Sequence, residues 1–218
     1  DAYSEGYAGI GVWRAAFKPF VDRIADNDIR LQWFCCDRST GVTDASGKRV
    51  TLIRDTKYPV SVEYQTVKFI GTGRDNIKAG VFSGWELGDY IYLRSEEAYM
   101  IKMEALAHKG SADAITELNS FMKTRQPDYN YTFTNKADLI EEIIYQKRVE
   151  FWGEGLEYID NRRLNIPVDR TDETWGAENN NHFSAGKFRY NQEERPFLYQ
   201  LPLSEIENNS QLSPTDQN

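Results

Sequence analysis

Histidine, cysteine and methionine are scarce in this chain, at two, two and three of 218 residues. His108 and His182 lie far apart, and neither has a Cys, His or carboxylate at ligand spacing, so a zinc centre has no foundation. A histidine-based triad lacks its Gly-x-Ser-x-Gly elbow, and no Asp-x-Asp-x-Asp-Gly loop announces calcium. Cys35 and Cys36 are adjacent, where an unstrained disulfide rarely forms, and they read as small core residues. Positive charge is also short: 26 Lys and Arg stand against 34 Asp and Glu, a formal charge of −8. Phosphate recognition needs a basic face, so nucleic acid is excluded as the expected partner. No apolar run approaches the roughly 18–20 residues that span a bilayer. Gly71 and Gly73 open no convincing helix, which leaves a phosphate loop unsupported. No cofactor is expected.

What the chain has is aromatic side chains: 13 Tyr, 11 Phe and 5 Trp, or 13%. That is high for a sequence whose mean hydropathy is −0.65. The start mixes rings with glycine at Tyr3, Gly6, Tyr7, Gly9, Gly11 and Trp13. It begins at Asp1 with no leader pattern, which predicts a processed or truncated start and a targeting signal upstream. Arg14 to Ala25 reads as a short amphipathic stretch, with Pro19 near a helix start or at a kink. Thr40 to Phe69 reads as β structure, with a turn at Asp44-Ala45-Ser46-Gly47 and alternation at Val60, Val62 and Tyr64. No linker or low-complexity block divides residues 1–218, which read as a single domain.

From Ser95 the pattern turns helical. Ala98, Ile101 and Ala105 recur at i, i+3 and i+7, and Gly110 supplies a stop. Ser111 is placed to cap a second helix whose inward face is Ala114, Leu118 and Phe121, and Pro127 follows it. The pair predicts an αα-hairpin of tetratricopeptide size, without that repeat's signature residues. A third helix is expected from Asn135, with Asp138 as its capping-box partner and a stripe of Ile140, Ile143, Ile144 and Phe151. Gly153 and Gly155 end it or pinch it against a neighbour. Phe151 and Trp152 read as core, and Trp33 and Trp85 lean the same way.

The run from Tyr92 to Ala107 resembles a conserved helix of the SusD/RagB family. Ile143 to Gly155 resembles that family's Glu-Arg-rich segment ending in Gly-Glu-Gly, continued by Asp160-Asn161-Arg162-Arg163. Leu201 to Ile206, with Asn209 and Gln217-Asn218, resembles its terminal pattern, and Asp28-Ile29-Arg30 and Lys68-Phe69 fit weaker features. Gln146, Glu157 and Leu164 depart from the usual Glu, Arg and Trp. Family members run to roughly twice this length, so the chain is expected to be a C-terminal portion.

The resemblance implies a mainly α fold with irregular loops, a small β-hairpin and degenerate tetratricopeptide-like packing. It also implies a non-enzymatic, oligosaccharide-binding lipoprotein on the extracellular face of the outer membrane of a Bacteroidota-type bacterium. Its partner would be a SusC-like TonB-dependent transporter, and its contact with the membrane an upstream lipid anchor. Sugar sites stack ring faces on exposed aromatics and read hydroxyls with polar side chains. Tyr3, Tyr7 and Trp13, set among glycines, are candidates on that ground, as are Trp175 and Asn179 in the polar run Thr174 to His182. Two rivals stand beside this reading. One is a scaffold that docks the transporter without a glycan site of its own. The other is a glycosidase using Glu150 and Glu154, although the interleaved Lys147 and Arg148 suggest a solvated or salt-bridged face instead.

Overall fold

A proline near the start of a helix needs no partner for its missing N–H, and Pro19 occupies that place in α1, Lys18–Asp22. The element is only five residues long, a fraction of the expected amphipathic stretch. In this computed structural model the described residues are 16–35, 42–43, 49–50, 64–66, 68, 92–194, 201–213 and 215. The chain divides into two units, residues 1–154 and 155–218.

In the first unit, Asp28 caps a 3-10 turn at Ile29–Trp33 by accepting the Arg30 N–H. Strand β1, Phe34–Cys35, then pairs antiparallel with β4, Gln65–Thr66. Strands β2, Val42–Thr43, and β3, Arg49–Val50, form a small hairpin with Val42 opposite Val50. The predicted turn from Asp44 to Gly47 lies between them, outside the described residues, as do Val60 and Val62. Tyr64 is no strand residue. Its φ of 64° is left-handed, its carbonyl accepts the Ala16 N–H, and its buried ring sends the hydroxyl to Asp22 at 2.9 Å.

Three longer helices follow: α2, Ser95–His108, α3, Asp113–Met122, and α4, Lys136–Glu150, with α2 packed on both of the others. Gly110 has φ +71°, and the bonds Ser111 N–H to Leu106 O and Gly110 N–H to Ala107 O close α2 in a Schellman motif. The Ser111 hydroxyl accepts the Asp113 N–H and so serves the start of α3 as expected. Asn135 and Asp138 form the predicted capping box at α4.

The inward face of α2 is not the expected one. Ala98, Ile101 and Ala105 are exposed, while Met100, Met103, Glu104 and Ala107 are buried. The true stripe runs at i, i+3, i+4 and i+7 on the opposite side, carried by methionine and a carboxylate stem. On α3, Ala114 and Leu118 are buried as expected, with Met122 beside them and Phe121 half-buried. Ile143, Ile144 and Phe151 are buried, whereas Ile140 is half-buried. Val21, Leu31, Phe34, Tyr145 and Val149 form one core cluster, against which Phe20, Trp33 and Trp152 pack. Edge-to-face contacts of Phe20 with Phe34 and Tyr145, and of Phe34 with Trp152, tie α1, β1 and α4 together.

The second unit opens with α5, Leu156–Arg163, behind Gly155 at φ +88°. A Cβ there would meet nothing within 4 Å, so this glycine serves the backbone turn and pinches no neighbour. Strand β5, Val168–Asp169, pairs antiparallel with β6, Arg189–Tyr190. Between them lie a single helical turn, α6, Asp172–Trp175, and a 3-10 turn at Ser184–Gly186. The last element is α7, Leu203–Asn208. The architecture is mainly helical with irregular loops and small antiparallel pairs, as expected.

Candidate functional site

The carboxylates crowded at the end of α4 are committed to cations. Glu150, 1% exposed, accepts from Arg94 at 3.1 Å, from Arg125 at 3.1 Å through both Nε and an Nη, and from Arg30 at 3.5 Å. Burial works to raise its pKa, but Arg125, Arg30 and Arg94 outweigh that and hold the carboxyl below its usual value. Glu154 binds Lys68 at 2.6 Å and Arg94 at 2.9 and 3.0 Å. Lys68 also donates to the carbonyls of Glu150 and Trp152. Its burial brings the ammonium pKa down to about 8, although Glu154 pulls the other way. The face is therefore salt-bridged, as the sequence allowed, but buried rather than solvated. A glycosidase acid needs a raised pKa, and Glu150 has the reverse.

The second unit carries the polar loop in which Trp175 and Asn179 were expected to act. Asp169, at the end of β5, accepts the Thr171 N–H at 3.0 Å, the Thr171 hydroxyl at 2.7 Å and the Thr174 hydroxyl at 2.7 Å. Partial burial works against its charge, but these bonds, with Arg189 at 3.5 Å, keep its pKa below the usual carboxylate value. The Asp169 carbonyl accepts the Trp175 indole N–H at 2.9 Å. One edge of the ring is thus fixed, and the side chain remains 38% exposed. Asp172, on α6, binds Lys187 at 2.8 Å and the Asn180 amide at 2.8 Å, and these bonds lower its pKa. Asn180 is buried and donates as well to the Arg170 carbonyl.

Asn179 is half-buried, with its N–H on the Gly176 carbonyl at 3.2 Å and its amide on Glu178 at 3.2 Å. The fold brings it into the same braced loop as Trp175. Tyr3, Tyr7 and Trp13 lie outside the described residues, as does Trp85. His182 is half-buried, and that burial, with Arg170 and Lys187, holds its pKa below the usual value. Among the described residues no group of three or more His, Cys, Asp or Glu side chains is placed to hold a metal ion.

Among the described residues of the second unit, one exposed aromatic was not a candidate. Phe183 is 75% exposed, and a Cβ at Gly186 would stand 3.3 Å from its ring, so the chain passes close beneath it. Its sequence setting, a lone ring in the polar run His182-Phe183-Ser184, is of the same kind that singled out Trp175. A fixed, half-exposed indole amid hydroxyl and amide groups offers an apolar face with polar edges, the arrangement on which a sugar ring stacks.

The sequence model of the SusD family matches residues 16–218. Among solved structures, the fold is similar to that of a SusD-like carbohydrate binding protein from Bacteroides vulgatus, with a TM-score of 0.57 and 22% sequence identity. That match covers 88% of this chain and 40% of the other, so the chain spans well under half of that relative's length. Curated protein sequences give no match. With the family model reaching from the first described helix to the last residue, the chain belongs to the SusD family.

Proposed function

We propose that this chain is the C-terminal region of a non-catalytic glycan-binding protein of nutrient uptake at the cell surface. The observation that carries the reading is the Trp175 indole, held at its N–H by Asp169 and left part-exposed in a braced polar loop. In this reading Asn179 supplies hydroxyl contacts beside it, and Tyr3, Tyr7 and Trp13 are separate candidates for sugar contact. Captured oligosaccharide passes to a SusC-like TonB-dependent transporter. The longer protein is held on the extracellular face of the outer membrane by a lipid anchor. Family membership and the carbohydrate-binding relative support this, as does the commitment of Glu150 and Glu154 to buried cations rather than to a cleft.

Titration of the 218-residue chain with neutral oligosaccharides, followed by tryptophan fluorescence, tests it. The emission is expected to shift, and Trp175→Ala is expected to weaken binding about tenfold, about 1.4 kcal/mol. Trp13→Ala tests the aromatic start in the same assay. If no glycan changes the emission of the unmutated chain, the binding reading fails for this region. Release of reducing sugar that Glu150→Gln abolishes would replace it with hydrolysis.

A further inference from the structure

Glycan binding through Trp175 leaves unexplained an open hollow of about 330 Å³ in the first unit. It lies where the turn after α1, the α3–α4 connection and the middle of α4 meet, and it falls at the small end of ligand pockets, roughly 300–1,000 Å³. Its floor is made of groups that satisfy one another. Glu142 accepts from the Tyr129 hydroxyl at 2.9 Å, the Gln146 amide at 2.6 Å and Arg23 at 2.6 Å. Asp28 is paired with Arg30 at 2.7 Å. These carboxylates are neutralised in place and have no call for an outside ion.

The mouth is different. Arg23 lies over the Tyr145 ring, 3.8 Å from the guanidinium carbon to the centroid, which fixes its plane, while its Nε makes no hydrogen bond among the described residues. Asp128 accepts the Asn27 and Gln126 amides on Oδ1, and its Oδ2 takes no side-chain hydrogen bond among the described residues. Asn130 is exposed, and its amide makes no hydrogen bond among the described residues. One small opening therefore holds a guanidinium N–H, a carboxylate oxygen and an amide that both donates and accepts, beside the rings of Tyr131 and Tyr145. An anion would face Asp128, and the charge of Arg23 is already matched by Glu142 at 2.6 Å and Glu141 at 3.8 Å. Hydroxyl groups, which donate and accept together, answer all three.

We propose that this hollow is a second carbohydrate subsite, sized for one uncharged sugar residue, read by Arg23, Asp128 and Asn130. Its ligand chemistry rests on the glycan-binding reading above, while its residues are separate from the Trp175 loop.

The test is amide-resolved NMR of the 218-residue chain with glucose, galactose, mannose, glucuronate and glucosamine, each at equal concentration. At least one neutral hexose is expected to shift the amides of Tyr129, Asn130 and Tyr131, and the two charged sugars are expected to shift them far less. Asn130→Leu, a change at an exposed position, is expected to weaken that response at least tenfold while Trp175→Ala leaves it unchanged. Asp128→Asn keeps the side chain's shape and is expected to weaken it as well. Shifts confined to residues 171–180 would overturn the subsite and leave the Trp175 reading standing. Equal response to glucuronate, or an unaltered response in Asn130→Leu, would overturn it too. Silence everywhere would overturn both.

Discussion

The end of α4 and the loop after β5 use the same chemistry to opposite ends. Around Glu150 the carboxylate and Arg30 are buried, Arg94 and Arg125 are half-buried, and the three guanidiniums close on one carboxylate. Around Asp169 and Asp172 the bonds sit near the surface, and what they hold in place is an aromatic ring that still faces solvent. Buried networks fix an architecture because an unpaired member costs several kcal/mol, while a surface network costs little to rearrange and so tolerates a site. The presence of clustered carboxylates says little until their burial is known.

The sharpest way to break the contrast is Glu150→Ala, which removes the buried carboxylate that Arg94 and Arg125 share at 3.1 Å, while Arg30 keeps its pair with Asp28. A loss of about 3–5 kcal/mol is expected in urea unfolding of the chain, as for other broken buried pairs. A loss below about 1 kcal/mol, the range of exposed pairs, would show that the cluster is wet.

Acid tests the same group without mutation. The folded-state pKa of Glu150 is lowered from 4.5, so the folded protein binds its proton less readily than the unfolded chain. Its contribution is fully present above the unfolded value and is lost as pH falls through the lower folded one. The stability gap between the native chain and Glu150→Gln is therefore expected to shrink as pH drops below about 4.5.

Lys68 gives the alkaline counterpart. Its folded pKa of about 8 lies below the ordinary 10.5, so the unfolded chain binds more protons between those values. Stability attributable to this group is expected to rise with pH across that window, and Nζ-detected NMR should show its titration near 8. Titration at 10.5 would mean that the ammonium is solvated.

A smaller effect is expected at the helix start: Asn135→Ala removes the cap of α4 and should cost about 1 kcal/mol. Smallest of all is Lys102→Ala, which breaks a 2.6 Å pair with Glu117 on an exposed surface. Its unfolding midpoint is expected to match that of the native chain.

Much of the helical frame was legible in the residues. Gly110, Ser111, Asn135 and Asp138 act through the backbone within a few positions, so their roles survive any tertiary arrangement. The inward face of α2 was not legible. Alanine and isoleucine at 98, 101 and 105 made a plausible stripe, but Met100, Met103, Ala107 and the stem of Glu104 face the interior instead. Methionine is flexible enough to pack irregular space, so its burial follows from the neighbours and not from its own periodicity. Trp175 was singled out because a large ring in polar company is conspicuous, and Phe183 stood in the same kind of company. The hollow beside Tyr129 had no sequence mark, since Arg23, Asp128 and Tyr145 lie far apart along the chain.

The amino-acid sequence alone determined helix ends, turn positions, the mainly helical class and the family pattern, because these depend on local bonding or on ordered motifs. Its small content of histidine and cysteine and its charge of −8 narrowed the chemistry before any fold was known. Only tertiary structure decided which carboxylates are locked and which rings face solvent. Burial and partner geometry are properties of distant residues meeting, and they set both the pKa of Glu150 and the exposure of Trp175. The scarcity of histidine and cysteine was visible at once; that Glu150 is committed to cations came from the three arginines around it.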